Sequence, residues 1–244
     1  MKIEMHAHTS EGSSCAKVEA VEAVKMYAEA GFDAMVITNH YGRAIVEDRD
    51  YGDAVWKGFG EDPKVRSEAY LKGWRRAKAA GDALGIKVLL GMELTLDQGV
   101  EDFLLYGIPE DFVLRHSDIF QWPLEKVYEL CSLEGIVVIQ AHPCRAGSVF
   151  WGSPDCQIQD ERFLDGVELN QVQDHNNNNP KVLAWTKVHP EKIVIMGSDF
   201  HKPHNVGCGW IETERDIQSM DDLVACLRDR DFRCCCKDAE LAEA

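Results

Sequence analysis

Short runs of β-branched and aliphatic residues alternate with amphipathic helical segments along nearly the whole chain. That is the pattern of strands laid side by side with helices packed outside them. The runs expected as strands cover residues 2–6, 33–38, 86–93, 102–107, 136–141, 166–170 and 193–198. Helices are expected over residues 18–30 before Gly31, 65–84 before Gly85, and 124–133 after Pro123. Two more are expected from Asn179-Pro180 to about Val188, and from Ser219 to about Arg230 with Asp221 and Asp222 at the dipole's positive end. The expectation is an α/β barrel of seven strands, open or closed, formed by residues 1–244 as one domain without linker or internal repeat. Segments 42–63 and 144–162 read as long loops placed to wall a pocket.

Nearly every strand ends on a metal-binding side chain. His6-Ala7-His8 closes the first, His40 the second, Glu93 the third, His142 the fifth and Asp199-Phe200-His201 the seventh. Alternation along a strand puts His6 and His8 on one face, within reach of one ion. Imidazoles and carboxylates repeated at strand ends converge on one rim, the arrangement of a metalloenzyme. An isolated HxH is more often a pair of satisfied polar residues; the whole constellation carries the signal.

Bulk properties narrow the partners. A formal charge of −16 opposes long nucleic acid and anionic membranes. No apolar stretch approaches the roughly 20 residues of a spanning helix, and Met1–Met5 runs into His6 without a leader. A cytoplasmic protein is expected, its nine cysteines reduced. Cys234-Cys235-Cys236 is expected as a short terminal strand rather than a thiol site, since no CxxC pair accompanies it.

The motifs His6-Ala7-His8-Thr9, Ile37-Thr38-Asn39-His40, Gly91-Met92-Glu93, Ala141-His142-Pro143 and Gly197-Ser198-Asp199-Phe200-His201 resemble, in order, those of the PHP (polymerase and histidinol phosphatase) family. The resemblance implies a distorted, TIM-like (β/α)7 barrel with a trinuclear site, two or three divalent ions (Mn, Fe or Zn) at the C-terminal rim. It also implies hydrolysis of a small phosphate monoester, such as histidinol phosphate or a nucleotide-like metabolite, by metal-activated water with no protein nucleophile.

Two positions depart from the family pattern. Asn39 stands where an Asp is usual, and Asp102 stands where a fourth-strand His is common, a harder ligand favouring Mn or Fe over Zn. Glu11 is the ionisable residue nearest the first motif and is taken as a further ligand. The expected ligand set is therefore His6, His8, Glu11, His40, Glu93, Asp102, His142, Asp199 and His201.

Arg145 is chosen as the phosphate clamp because a guanidinium grips two oxygens, and His204 as a substrate-binding or proton-donating residue. Asn170 is a further candidate to line the pocket. Cys144 and Cys156, after His142, would make activity oxidation-sensitive. His116, His175 and His189 read as structural or solvated. The competing readings are an amidohydrolase-like hydrolase, against which Glu93 stands in the bridging-lysine position, a nuclease on short nucleic acids, and a non-catalytic metal-binding regulatory module.

Overall fold

A computed structural model describes residues 1–42, 63–146, 155–170 and 178–237. Most of the 42–63 loop, residues 147–154 of the second loop and His175 lie outside the described residues. The strands are β1 (Lys2–Ala7), β2 (Ala34–Ile37), β3 (His40–Tyr41), β4 (Lys87–Thr95), β5 (Asp102–Tyr106), β6 (Val137–Gln140), β7 (Gly166–Asn170), β8 (Ile193–Gly197), β9 (Gly209–Glu212) and β10 (Arg233–Cys236). The helices are α1 (Ala20–Glu29), α2 (Pro63–Leu84), α3 (Glu110–Arg115), α4 (Leu124–Glu134), α5 (Asn178–Thr186) and α6 (Met220–Asp229).

One sheet runs β10-β9-β1-β2-β4-β5-β6-β7-β8, with β3 attached to β4. It curls until the end of β1 meets the residue beyond β8. There the Phe200 N–H donates to His6 O at 3.0 Å and the His8 N–H to Phe200 O at 3.0 Å. The result is a nearly closed barrel. All seven expected strands are present, but the count of seven does not describe the sheet: β3, β9 and β10 are added to it, and the triple-cysteine segment is indeed β10.

Helical crossovers do not join every pair either. Residues 96–101 are too few for a crossover, which takes a dozen or more, so β4 and β5 form a hairpin and β5 lies antiparallel to both β4 and β6. The consequence is local and important. Asp102, the first residue of β5, pairs with Thr95 at the end of β4 and so reaches the same rim as the strand-end histidines.

The helices sit where their apolar stripes demand. In α1, Ala20, Ala23, Val24 and Tyr27 recur at helical spacing and are buried. Gly135 (φ +77°) ends α4 in the left-handed conformation that glycine adopts without steric cost, and Ser219 with Asp222 forms a capping box on α6. Leu223, Cys226 and Leu227 of α6 pack with Ile3, Ala34, Leu89, Val137 and Ile193, near the beginnings of the parallel strands. Helix α6 therefore floors the barrel, and the histidines occupy the opposite end. Among the described residues no helix is long and apolar enough to cross a membrane.

Candidate metal centre

The local fold of β1 aims the first two imidazoles. Glu4 pairs with Met35 and Ala7 with Ile37, so Met5 and His6 together oppose Val36 alone, a bulge. The bulge keeps Met5 in the interior cluster and still turns His6 towards the rim. Glu4 braces it from the other face: its carboxylate accepts from the His6 N–H at 2.9 Å, the Ser198 N–H at 3.0 Å, Tyr27 Oη at 2.6 Å and Ser198 Oγ. Burial lifts Glu4, and these hydrogen bonds oppose the rise only in part, leaving it at about 7.

Around Glu93, fully buried at the end of β4, the ring nitrogens close in. Oε1 lies 2.9 Å from His142 Nε2 and 3.4 Å from His6 Nε2; Oε2 lies 2.7 Å from His40 Nδ1 and 3.2 Å from His8 Nε2. Asp199 Oδ1 faces the same space, 3.2 Å from His8 Nε2 and 3.4 Å from His6 Nε2. The two Nε2 atoms of His6 and His8 are themselves 3.0 Å apart. With bonds of about 2.0–2.2 Å to a divalent ion, donors separated by roughly 3 Å are the spacing of two ligands on one cation. Three sets of donor atoms converge in this way: His6, His8 and Glu93; His8, His40 and His201; and His40, Glu93 and Asp102. The donor chemistry and spacing fit divalent metals.

The far nitrogens of these rings are held from behind. His6 Nδ1 meets Glu168 Oε1 at 2.9 Å, His8 Nδ1 meets Ser13 Oγ at 3.0 Å, and His201 Nδ1 meets Asp199 O at 2.9 Å. For His6 and His8 the contact leaves Nε2 turned to Glu93, the usual way an imidazole ligand is oriented. Glu168 does more, accepting from the His142 N–H at 2.8 Å and from Asn170 Nδ2 at 3.1 Å. Asn170 thus supports the site from behind through Glu168. Gly197 makes room for this: a Cβ there would stand 2.6 Å from both His6 Cβ and Glu168 Oε1. Asn39 acts on His8 at one remove, since its Oδ1 accepts from Ser13 Oγ at 3.1 Å. His142 (φ +27°) and Asp199 (φ +48°) have positive φ, as backbone held at functional sites often does.

Electrostatics bind the cluster together. Burial opposes ionisation of Glu93 and Asp199, but the surrounding imidazoles, led by His40 and His6 for Glu93 and by His6 and His201 for Asp199, hold both well below the usual carboxylate range. Burial lowers His6, yet Glu168, Glu93 and Asp199 raise it well above its ordinary value.

Three expected residues stand differently from the rest. Glu11 does not join the cluster. Its Oε2 accepts the Ala20 N–H at 2.9 Å at the start of α1, where Glu19 provides no side-chain cap, and its Oε1 pairs with Arg76 at 2.8 Å. His204 is exposed on a 3-10 turn at residues 203–205. Arg145, about one-third exposed, lies at the rim with Nη2 3.2 Å from Asp102 Oδ2, while Thr95 Oγ1 holds Oδ1 at 2.5 Å. Asp102 Oδ2 is 3.9 Å from His142 Nε2.

Cys156 is buried beside Val100 O, and burial pushes its thiol and that of Cys144 up, away from easy oxidation. His116 sits beside Trp122 and Glu134, and His189 stacks on Trp185.

Sequence reasoning passed over Glu4, the role of Glu168 and above all Cys15. Cys15 Sγ lies 2.9 Å from His201 Nε2. Desolvation by the packed loop raises its pKa even though the residue keeps an exposed face, but His40, His201 and His8 outweigh this and bring it to about 5.

Comparison with known proteins bears on the fold. Residues 184–232, from the end of α5 to just before β10 and including Asp199 and His201, match the PHP-associated family model. A two-domain protein from Bacteroides vulgatus, containing a predicted PHP-like metal-dependent phosphoesterase, superposes with a TM-score of 0.64 at 15% identity, over 96% of this chain and 64% of that one. A lesion-specific endonuclease from Pyrococcus furiosus (TM-score 0.52, 14% identity, 93% of this chain and 56% of that one) shares the fold. So does an amidohydrolase from Chromobacterium violaceum with bound sulfate and no metal (TM-score 0.52, 14% identity, 95% and 97%). This chain thus spans less than two thirds of the first and of the endonuclease. No curated protein matches the chain by sequence.

Proposed function

We propose that this chain, a member of the PHP family, is a metal-dependent hydrolase of small phosphate monoesters. The observation that carries the proposal is Glu93: one buried carboxylate lies within 3.4 Å of four imidazoles, with Asp199 across from it. His6, Glu93 and Asp199 would hold one cation, and His142 and Asp102 with Glu93 another. His8, His40 and His201 would hold a third, giving two or three ions of Mn, Fe or Zn. Bound there, such ions supply Lewis acidity that makes water a nucleophile near neutral pH and offsets charge on phosphoryl oxygens.

The chain's own groups supply the rest. Arg145 is the residue to take a phosphate, exchanging Asp102 for an oxyanion that it can grip with two N–H groups. Glu168, Ser13 and the Asp199 carbonyl keep their imidazoles in one tautomer, so that no ring must turn during a cycle. Charge sets the substrate's size: at −16 the surface repels a long polyanion far more than a small phosphorylated metabolite.

The test is elemental analysis of chain purified without chelators, with p-nitrophenyl phosphate turnover on the same sample. Two or three equivalents of metal, with turnover abolished by chelation and restored by Mn, Fe or Zn, are expected. Less than one equivalent and no turnover after reconstitution would overturn the proposal.

A further inference from the structure

We propose that Cys15 is itself a metal ligand, its sulfur joining the imidazoles of His8, His40 and His201 on one cation and making that end of the centre selective for soft ions. The inference rests on the metal-centre reading above and goes beyond it by naming a donor and a metal class.

The geometry is a built one. The three imidazoles present ring nitrogens within 4.8 Å of one another. His201 Nε2 has Cys15 Sγ as its neighbour at 2.9 Å, while Nδ1 is occupied by Asp199 O. Metal–sulfur bonds of about 2.3 Å and metal–nitrogen bonds of about 2.0–2.1 Å put such a pair within the span of one ion. The segment carrying Cys15 is folded to present it. Asn39 Oδ1 accepts the Thr9 N–H at 2.8 Å, the Gly12 and Ser13 N–H groups turn back onto Thr9 O, and Ser10 N–H bonds Val18 O at 2.9 Å. Just past the cysteine, the Lys17 N–H donates to His201 O at 2.8 Å, which ties the loop to the backbone of the histidine it faces.

A second observation points to a cation beside two of these rings. Glu93 Oε2, fully buried, accepts no well-directed hydrogen bond although His40 Nδ1 stands 2.7 Å away and His8 Nε2 3.2 Å away. Lone-pair atoms that crowd one another without a well-placed hydrogen between them are arranged for a positive ion.

The chemistry is ligand exchange without oxidation. The thiol proton leaves to solvent as the sulfur–metal bond forms, and water leaves the cation. A thiolate with three imidazoles suits Zn2+ or Co2+ over Mn2+ or Mg2+, whereas Glu93 and Asp102 harden the other end. The centre would then be chemically polar: soft beside β1 and β8, hard beside β4 and β5.

The experiment is a Co2+ titration of the full-length, metal-free, reduced chain without oxygen, for the wild type and Cys15→Ser. Expected is a near-ultraviolet sulfur-to-cobalt charge-transfer band in the wild type, absent from the variant while its visible cobalt bands persist. Cys15 is exposed, so the variant should melt like the wild type without metal; Cys15→Ala serves if it does not. As a second readout, Zn2+ should slow iodoacetamide labelling of Cys15 about tenfold or more, since donation to the metal lowers the sulfur's charge and nucleophilicity. A band of equal strength in both variants, or labelling that ignores Zn2+, would overturn the inference. So would wild-type cobalt saturation with no band; if that protein still turned over phosphate ester, the functional reading would stand. A band without any turnover would uphold the cysteine ligand and sink the phosphatase.

Discussion

The two ends of the barrel are built from the same strands yet obey opposite rules. Near the floor, Ile3, Ala34, Leu89, Val137 and Ile193 meet Leu223 and Leu227 of α6, and burial of apolar area holds them there. At the rim those strands end on buried histidines and carboxylates whose desolvation is offset only by one another. The difference teaches where stability and chemistry reside. Packing below sets strand positions, and the ionic layer above is held in a state that cations, rather than the fold, would satisfy.

Mutations should separate the two ends. The largest effect is expected at Glu93→Gln, which removes the shared carboxylate. Phosphate-ester turnover should fall by about a thousandfold or more, roughly 4 kcal/mol of transition-state stabilisation. Thermal melting of the metal-free chain should move little, or upward; a variant that unfolded instead would place the rim among the fold's own supports. Ile195→Ala, in the interior cluster, reverses the pattern: stability measured by urea unfolding should drop by about 2–5 kcal/mol, with cation affinity of the folded protein retained.

Glu4 lies between the ends and sharpens the contrast through pH. Its folded value of about 7 exceeds the ordinary 4.5, so between those values the folded chain holds more protons than the unfolded one. Its contribution therefore falls as pH rises through that window, by roughly 3 kcal/mol in the metal-free chain. Glu4→Gln should flatten that part of the pH–stability curve relative to the wild type; parallel curves would show that Glu4 does not titrate there. The smallest effect is expected at Glu168→Gln, which keeps the shape but weakens the partner of His6 Nδ1. Metal affinity by competition with a chelator should fall about 10–100-fold with the fold intact.

Much of the lower half is legible in the amino-acid sequence, because β-branched runs and helical stripes report burial directly. The strand-end histidines are legible for the same reason, since a strand's last residue needs no long-range information. The reversed β5 is not. Nothing in Leu96–Glu101 carries a two-residue hairpin signature, and only the shortness of that link excludes a crossover. Glu4 and Glu168 escape notice as buried supports because an acid amid aliphatic residues reads equally well as the solvent face of a strand. Glu11 is misplaced by its closeness to His8 in sequence. Its partners, Arg76 of α2 and the start of α1, come from elsewhere in the chain. A lone cysteine in a Gly/Ser-rich loop carries no pattern at all, so Cys15 emerges only when the loop is folded against His201.

The barrel closes through two backbone hydrogen bonds between His6, His8 and Phe200, and this makes the centre a late event in the life of the chain. A growing polypeptide that has not yet reached residue 200 holds its HxH pair without the Asp199 and His201 that complete it. Bringing such distant segments together costs loop entropy that is recovered only when most of the β-sheet exists. Fragments cut before Asp199 would lack the donors that Asp199 and His201 add to the centre. If the centre binds metal as proposed, ion capture would fall to the folded barrel, and lasting metal retention would mark correct folding.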